Sequence, residues 1–474
     1  MVSAMELDPL LLSRIQFAFV VSFHAIFPVF TIGLASYIAV LEGLLLRTDN
    51  PVWEQLAKFW TRVFAVVFGM GVVSGIVMSF QFGTNWSNFS YAAANFLGPV
   101  LSYEVVTAFF LEAAFLGVLL FGRDKVPQGV HVFAAVMVAV GTFISSFWIL
   151  AANSWMQTPA GVELRDGVFH VTSWGQAIFN PSFVYRFVHM GLASFLTGGF
   201  VVAGVSAWYL LRRRHVEANR RALSMTLWLL AVLAPAQLVV GDLHGLNTLE
   251  HQPVKVAAME GNWETRSGAP LLLFALPDQS AQENRAEIGI PGMASLILKH
   301  EWDGEVPGVS SVPRDEQPTV WIVFWSFRIM VALGVLMIGF ALYSLWLRAR
   351  GRLFHAPRFL QGLVWMIPAP FVAVLAGWFV TEVGRAPWLV WGLMRQAEAV
   401  TPSLTGGMAL FTLIGFVLVY AVVFSAGVYY LARIVRAGMD EAEPGGHEGA
   451  GRPKRPLSAA HTSLEPGEAP GSAG

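Results

Sequence analysis

The sequence predicts an all-α membrane protein, a polytopic bundle of about nine transmembrane helices. Hydrophobic residues make up 55% of its 474 residues and charged residues only 13%, which is more apolar surface than a soluble domain can bury. Nine apolar runs are long enough to cross a bilayer, and each is expected to be helical because a lone strand in lipid leaves its backbone groups unpaired. The runs cover about residues 15–46, 59–80, 97–121, 129–152, 183–211, 222–241, 319–347, 360–381 and 408–436.

The composition also excludes several kinds of partner and metal site. The net charge of −1 argues against a nucleic-acid partner. The chain has no cysteine, which removes disulfides, thiolate metal sites, iron–sulfur clusters and covalently attached c-type haem. Any metal is therefore expected to be held by His, Met or carboxylate side chains. No internal repeat is evident, which weakens the case for a transporter built from inverted halves.

The charges of the connecting segments predict how the chain is oriented. Short loops rich in Lys and Arg alternate with loops that are poor in them, and residues 81–96 contain neither. The positive-inside rule then places the N-terminus outside and the C-terminus in the cytoplasm. On this topology residues 1–436 form the transmembrane domain and residues 242–318 form an extracytoplasmic loop. Residues 437–474, rich in Gly, Pro, Ala and Glu, form a disordered cytoplasmic tail.

Several ionisable residues fall inside the predicted spans, where a charge costs roughly 2.5–3.5 kcal/mol on insertion scales. His24 stands in the first span, four residues before Pro28, and either binds a metal or hydrogen-bonds to a neighbouring helix. Glu104 and Glu112 share the third span. Eight residues are about 80° around a helix and about 12 Å along it, so both carboxylates can face one groove. They suit a proton relay, in an enzyme or a proton-coupled transporter, or make structural hydrogen bonds.

A histidine, a methionine and a second acidic residue lie in the later spans. Methionine is usually core filler, but His189 and Met330 on two different helices can hold one iron from both faces, as in a low-spin, electron-transferring haem. Arg328 can pair with a haem propionate or anchor its helix at the interface. Glu382 is either a metal ligand or the partner of Arg385, which stands three residues later and therefore on the same face.

The segment after the sixth span combines donors and acceptors with an apolar patch. It reads GDLHGLNTLEHQPVKVAAMEGNWET, residues 241–265, and includes Lys255 and Glu260. A lysine can bind an oxygen of an amphiphilic ligand and a carboxylate can take its proton. The alternative is that both charges are simply solvated. The apolar patch between them favours a segment that lies back on the membrane surface.

Motifs spread over most of the chain resemble subunit I of the cytochrome bd-type ubiquinol oxidases, in the cyanide-insensitive branch with a short quinol-binding loop. The resemblance rests on SRIQF followed by His24, on FQFGTNW, WILAANSWMQ and GWFVTEVGRAPW, and above all on GDLHGLNTLEHQP. The sequence departs from the family at Ala386, where Gln is usual, and it lacks the long loop insertion that some members carry.

The resemblance implies three haems, namely a low-spin haem b, a high-spin haem b, and a haem d or a further haem b. The residues implied to bind them are His24, His189, Arg328, Met330, Glu382 and Arg385. Of these, His189 and Met330 would hold the low-spin haem, while His24 and Glu382 would each hold one iron of the high-spin, oxygen-reducing pair. Glu104, Glu112 and Ser145 are implied to lie on the proton route, and Lys255 and Glu260 at the quinol site.

The implied function is that of a terminal quinol oxidase in the bacterial cytoplasmic (inner) membrane. Quinol is oxidised at the outer face, O2 is reduced to water at the high-spin pair, and protons are taken from the cytoplasm without pumping. The implied partner is a smaller membrane subunit II, with room for a small single-span subunit. A haem–copper oxidase would need clustered histidines, and no two of the 11 are adjacent. A bc-type cytochrome b would need paired histidines on each of two helices, and a transporter would have no use for Met330 opposite His189.

Overall fold

The computed structural model describes residues 7–440, and its architecture is that of a helical membrane bundle. Within this range nine helical segments are long and apolar enough to cross a membrane, which confirms the predicted fold class and number of spans. The helices are α1 (Pro9–Thr48), α2 (Pro51–Thr84), α3 (Ser87–Ala92), α4 (Ala94–Glu104), α5 (Phe110–Phe121), α6 (Gln128–Gln157), α7 (Trp174–Ile178), α8 (Phe183–Leu211), α9 (Val216–His251), α10 (Pro253–Glu260), α11 (Met293–Lys299), α12 (Val320–Ala349), α13 (Pro357–Trp365), α14 (Ala369–Val383), α15 (Gln396–Ala399) and α16 (Gly406–Ala437).

Two of the nine spans are interrupted. In the third span, α4 and α5 are joined by a π-helical turn, Val105–Phe109, a geometry that is frequent at functional sites. In the eighth span, α13 ends at Trp365 and α14 begins at Ala369, because Pro368 and Pro370 cannot donate the backbone hydrogen bonds of a continuous helix. The interruption of the third span falls between Glu104 and Glu112.

The connecting segments carry four small antiparallel sheets that the sequence did not predict. The strands are β1 (Val162–Arg165), β2 (Val168–Val171), β3 (Arg266–Ser267), β4 (Leu271–Asp278), β5 (Glu283–Ile290), β6 (Glu305–Val306), β7 (Trp388–Val390) and β8 (Met394–Arg395). They pair as β1–β2, β3–β6, β4–β5 and β7–β8. All four sheets lie outside the spans.

The segment after the sixth span differs from the prediction in two ways. Helix α9 continues to His251, ten residues beyond the predicted end of the span at residue 241, so the start of the expected loop is helical. Helix α10 is buried along its length rather than lying exposed on a membrane surface. Its apolar side packs with Trp263, Val309 and residues of α12 and α14, because the strand-bearing part of the loop folds over it.

Helix α1 lies at the centre of the bundle and packs against α2, α6, α8 and α16. Its contact with α8 is close, since a Cβ added at Gly33 would clash with the backbone of Ser194 and Gly198. Small residues at such crossings let membrane helices approach backbone to backbone. The core beside this crossing contains Phe64 and Val202.

Buried charges join α1 to the start of α6. Glu42 on α1 is fully buried and pairs with Arg123 and with His131, whose Nδ1 lies 3.2 Å from a Glu42 oxygen. Removing one partner of such a buried pair typically costs about 3–5 kcal/mol, so this group is expected to hold the ends of α1, α5 and α6 together.

The beginning of the predicted tail is packed against the bundle. Arg214 donates a hydrogen bond to the Ala437 carbonyl oxygen (3.0 Å), and Gln55 donates to the Asp440 carbonyl oxygen (2.5 Å). Met439 is buried in the core beside α2 and α9. The remainder of the predicted disordered tail, residues 441–474, lies outside the described residues.

Candidate active site

Glu382 lies at the end of α14 with both carboxylate oxygens engaged. Asn153 of α6 donates a hydrogen bond to Oε1 (2.9 Å), and Arg385 donates to Oε2. The ion pair with Arg385, one of the two interpretations of this motif, is therefore present. Two hydrogen-bond partners hold this carboxylate in one orientation, as a metal ligand requires. Ala386, which follows Arg385 in the chain, is buried and presents only a methyl group.

Three cationic side chains are buried around this single carboxylate. Arg385 and Lys255 are each 2% exposed and Arg186 is 7% exposed. Arg186 Nε and Arg385 Nε and Nη1 have no hydrogen-bond partner in residues 7–440. Uncompensated buried charge is costly, so this surplus of positive groups fits a bound anion. The propionates of a haem are carboxylates of the required charge, and the residues present therefore fit that group.

Lys255 of α10 belongs to this cationic group. Its Nζ donates hydrogen bonds to Gln157 Oε1 (2.7 Å) and Gln252 Oε1 (2.6 Å), and its stem packs against Gly384. Burial, reinforced by the charges of Arg186 and Arg385, lowers the pKa of the Lys255 ammonium well below its usual range, although Glu382 opposes the effect.

Glu260, the other residue predicted at the quinol site, has a different partner. Arg328 Nη2 of α12 donates a hydrogen bond to Glu260 Oε2 (2.8 Å), and Arg328 Nε donates to the Leu272 carbonyl oxygen. Lys255 and Glu260 therefore lie on one short helix but point to separate groups of residues. Arg328, predicted to pair with a propionate, is occupied by Glu260 and by the loop.

His24 lies at the interface between helices α1 and α2. Its Nδ1 is 2.9 Å from Ser74 Oγ, and that hydroxyl donates to the Gly71 carbonyl oxygen. The Ser74 hydroxyl therefore links the His24 imidazole to the backbone of α2 and orients the ring. Gly75 supplies the space, since a Cβ there would lie 3.0 Å from His24 Cε1. This arrangement fits an axial iron ligand.

His189 and Met330 each face a glycine of a neighbouring helix. A Cβ at Gly241 of α9 would lie 3.4 Å from His189 Cε1, and a Cβ at Gly377 of α14 would lie 3.1 Å from Met330 Sδ. His189 Nδ1 is buried without a hydrogen-bond partner in the described part of the chain. Helices α9 and α14 both pack against α8 and α12, and these glycines give His189 and Met330 the space that their side chains occupy.

Glu104 and Glu112 both face α6, as the spacing predicted. Ser145 Oγ donates a hydrogen bond to Glu104 Oε1 (2.7 Å), so this serine is bonded to the carboxylate as the resemblance implied. Glu112 is 6% exposed and its stem packs on Gly141, one turn away from Ser145. An apolar cavity of about 660 Å³ borders the same region of α6 and reaches Thr107 in the π-helical turn.

Sequence reasoning missed several residues of this site. Arg186 stands three residues before His189 inside an apolar span, and the cost of an intramembrane charge would have singled it out. His244, whose ring centroid lies 5.3 Å from that of His189, stands in the motif GDLHGLNTLEHQP, and the sequence predicted no role for it. Asn153 and Gln157 stand in the motif WILAANSWMQ, but nothing in the sequence indicates which helix they contact.

The chain is similar to known proteins along nearly its whole length. Residues 12–439 match the family described as "Cytochrome bd terminal oxidase subunit I". "Cytochrome bd ubiquinol oxidase subunit 1" of Bacillus subtilis (strain 168) is 37% identical over 447 residues, which are 92% of this chain and 95% of that protein. "Cytochrome bd-II ubiquinol oxidase subunit 1" of Escherichia coli (strain K12) is 31% identical over 501 residues, covering 91% and 97%.

A solved structure has the same arrangement of helices. The bd oxidase from Geobacillus thermodenitrificans superposes with a TM-score of 0.84 at 32% sequence identity, and the match covers 91% of this chain and 99% of that one. The similarity therefore extends over the entire bundle and includes the segments that carry the candidate ligands.

Proposed function

Because this chain belongs to the cytochrome bd terminal oxidase subunit I family, we propose that it oxidises quinol at the outer membrane face and reduces O2 to water at a pair of high-spin haems. Family membership implies a terminal oxidase with haem cofactors and a quinol substrate. The main observation behind the proposed haem site is the group of three buried cationic side chains around one carboxylate, Glu382. This group fits haem propionates, and among the described residues it has no other anionic partner.

Three haems would supply electron transfer and oxygen reduction when bound. His189 and Met330 would hold the low-spin haem, and His24 and Glu382 would each hold one high-spin haem. The remaining residues position these ligands. Ser74 orients the His24 imidazole, Asn153 and Arg385 orient the Glu382 carboxylate, and the buried guanidinium groups would neutralise carboxylates of the cofactor.

The quinol site is proposed to lie at the outer ends of α9 and α10. Lys255, whose buried ammonium has a lowered pKa, would donate a hydrogen bond to a quinol oxygen. Glu260 would accept the quinol proton and pass it to the outside, and Arg328 would stabilise the carboxylate that results on release. Lys255 would thus bind the quinol and Glu260 would carry its proton, so the two residues would act one after the other and not as a pair.

Protons for water formation are proposed to come from the cytoplasm through Glu112 and Glu104. Both carboxylates face α6, and Ser145 holds Glu104 in place. Uptake from the inside and release on the outside separate charge across the membrane, so no pumping step is required. We also propose an outside N-terminus, a transmembrane domain spanning residues 1–436 with a quinol-binding loop at 242–318, and a cytoplasmic tail at 437–474.

The protein is proposed to reside in the bacterial inner membrane and to assemble with the smaller subunit II. Members of the family work with such a subunit, and a small single-span subunit is compatible with the exposed helices. The alternative function, a proton-coupled transporter that uses Glu104 and Glu112, does not explain the surplus of buried cations around Glu382.

A reduced-minus-oxidised visible spectrum of the purified complex, with haem extraction, tests the function directly. We expect low-spin and high-spin haem bands, together with quinol-dependent O2 consumption. A transporter would be colourless. An intact complex that contains subunit II but no haem would overturn the proposal.

Replacing Lys255 with alanine is expected to slow quinol-driven turnover by about 10- to 100-fold, because one charge-assisted hydrogen bond is worth about 1.5–3 kcal/mol. The measurement is steady-state O2 consumption over a range of quinol concentrations. Lys299, an exposed lysine of the same loop, provides the control, and Lys299→Ala should leave turnover unchanged. If Lys255→Ala alters the haem midpoint potentials while quinol kinetics stay normal, Lys255 serves the haem propionates instead.

Replacing Glu112 with glutamine is expected to lower O2 reduction by about 100-fold, since the amide keeps the shape of the side chain but cannot carry a proton. Reduction of the low-spin haem by quinol should persist. Stopped-flow spectroscopy separates the two steps. Ser145→Ala, which removes only the hydrogen bond to Glu104, should have a much smaller effect. Normal turnover in Glu112→Gln would exclude this carboxylate from the proton route.

A further inference from the structure

We propose that a pocket at the end of α9 opposite to Lys255 binds the headgroup of an anionic phospholipid, with an acyl chain lying along an exposed face of α9. The pocket is a cavity of about 540 Å³ where the first turns of α2 and α9 meet the short 3₁₀ turn Leu353–His355. Its lining residues are Trp53, Arg220, Arg221, Ser224, Met225 and Phe354.

Two arginines of this pocket are held in place by aromatic rings. The Arg220 guanidinium lies 5.3 Å from the centre of the Phe354 ring, and that of Arg221 lies 5.4 Å from the centre of the Trp53 ring. Such stacking fixes a guanidinium and leaves its N–H groups free to bind a planar or tetrahedral anion. None of the lining residues is acidic. Glu217, which is exposed, pairs with Arg221 (2.5 Å) and neutralises one of the two charges.

A third arginine reaches the rim of the pocket from α12. Arg348 donates hydrogen bonds to Ser224 Oγ (2.9 Å) and to the Ser224 carbonyl oxygen (3.1 Å). Its guanidinium also lies 4.8 Å from the centre of the Trp228 ring. Three guanidinium groups against one carboxylate leave a local surplus of positive charge, and arginine clusters of this kind recognise phosphate.

The surface that leads away from the pocket is apolar, which distinguishes a lipid from a soluble phosphate. Met225, Trp228, Val232 and Val239 follow Arg221 at intervals of 3 to 7 residues and therefore share one face of α9. Trp228, Val232 and Val239 are 53%, 65% and 61% exposed. The face runs about 16 Å from Arg221 to Val232, inside a membrane-spanning helix. Tryptophan and arginine at its start are typical of a membrane–water interface. An anionic phospholipid can bind both surfaces, because its headgroup fits the arginine-lined pocket and its acyl chain fits the apolar face of α9.

The test is lipid binding by the intact oxidase complex, extracted into detergent and equilibrated with mixed phosphatidylglycerol and phosphatidylcholine micelles, then analysed by native mass spectrometry. The double variant Arg220→Gln/Arg221→Gln should weaken retention of one phosphatidylglycerol by about fivefold for each lost guanidinium. The control Arg350→Gln/Arg433→Gln removes the same charge from exposed positions outside the pocket and should retain the lipid. An unchanged haem spectrum verifies that each variant is folded.

A second variant tests the acyl-chain contact, since Trp228→Ser should weaken phosphatidylglycerol retention while leaving any effect of inorganic phosphate on thermal stability unchanged. Several outcomes would overturn the proposal. Equal loss of lipid from the double variant and the control would indicate an effect of general surface charge. Protection of the complex by inorganic phosphate alone, to the same extent as by the lipid, would indicate a soluble ligand. A wild-type complex that retains no anionic lipid would mean that another subunit covers the pocket.

Discussion

Replacing His189 with alanine, or Met330 with leucine, is expected to erase the absorption bands of the low-spin haem while the helix bundle stays folded. An iron with two strong axial ligands is low-spin, and loss of either one opens a coordination position. Neither residue belongs to a hydrophobic core cluster of the described residues, so neither substitution should disturb the core severely. The measurement is a reduced-minus-oxidised spectrum of the purified complex, with haem content determined by extraction.

Met337 provides a matched control for this experiment. It lies on the same helix as Met330 but is buried in the core between α8, α9 and α13. Met337→Leu conserves volume and should change neither the spectrum nor the haem content, because such swaps usually cost less than about 1.5 kcal/mol. Unchanged low-spin bands in both the His189 and Met330 variants would show that the assigned ligands are wrong.

Replacing Glu382 with alanine is expected to remove one high-spin haem and to lower the stability of the complex by about 3–5 kcal/mol. The carboxylate is the single anion near Arg186, Arg385 and Lys255 in the described residues, and its loss leaves these buried charges unpaired. Haem content per complex and the thermal midpoint are the two measurements. The exposed Glu264 nearby supplies the control, since Glu264→Ala should leave both unchanged.

A charge-balanced variant separates the two roles of Glu382. In Glu382→Gln/Arg385→Met one anion and one cation are removed together, so the thermal midpoint should recover toward that of the wild type. The high-spin haem should nevertheless stay absent, because glutamine does not replace a carboxylate ligand. A full complement of haem in every Glu382 variant would exclude this residue as an iron ligand.

The number and approximate bounds of the spans were predictable because each depends on local hydrophobicity alone. The end of the sixth span was not, since α9 continues through ten polar and mixed residues to His251. Hydropathy indicates which residues can lie in lipid, whereas packing against the rest of the protein decides where the helix ends. The burial of α10 could not be predicted from the sequence either, because the residues that pack over it, Trp263 and Val309, follow it in the chain.

The candidate site was predictable residue by residue but not as an arrangement. The cost of burying a charge singles out Glu382, and the same argument applied to α8 would have found Arg186. Nothing local indicates that Lys255 bonds to Gln157, 98 residues earlier in the chain, or that Glu260 bonds to Arg328. Such partners depend on which helices become neighbours.

The sequence by itself therefore determined the membrane bundle, the family and the identity of most candidate ligands, since hydrophobic length and residue type are local properties. Only the tertiary structure decided which side chains share a site. It separated Lys255 from Glu260 and gathered Arg186, Lys255 and Arg385 around Glu382. The physical reason is that buried charges are tolerated only with partners or bound anions, and those partners come from helices far apart in the chain.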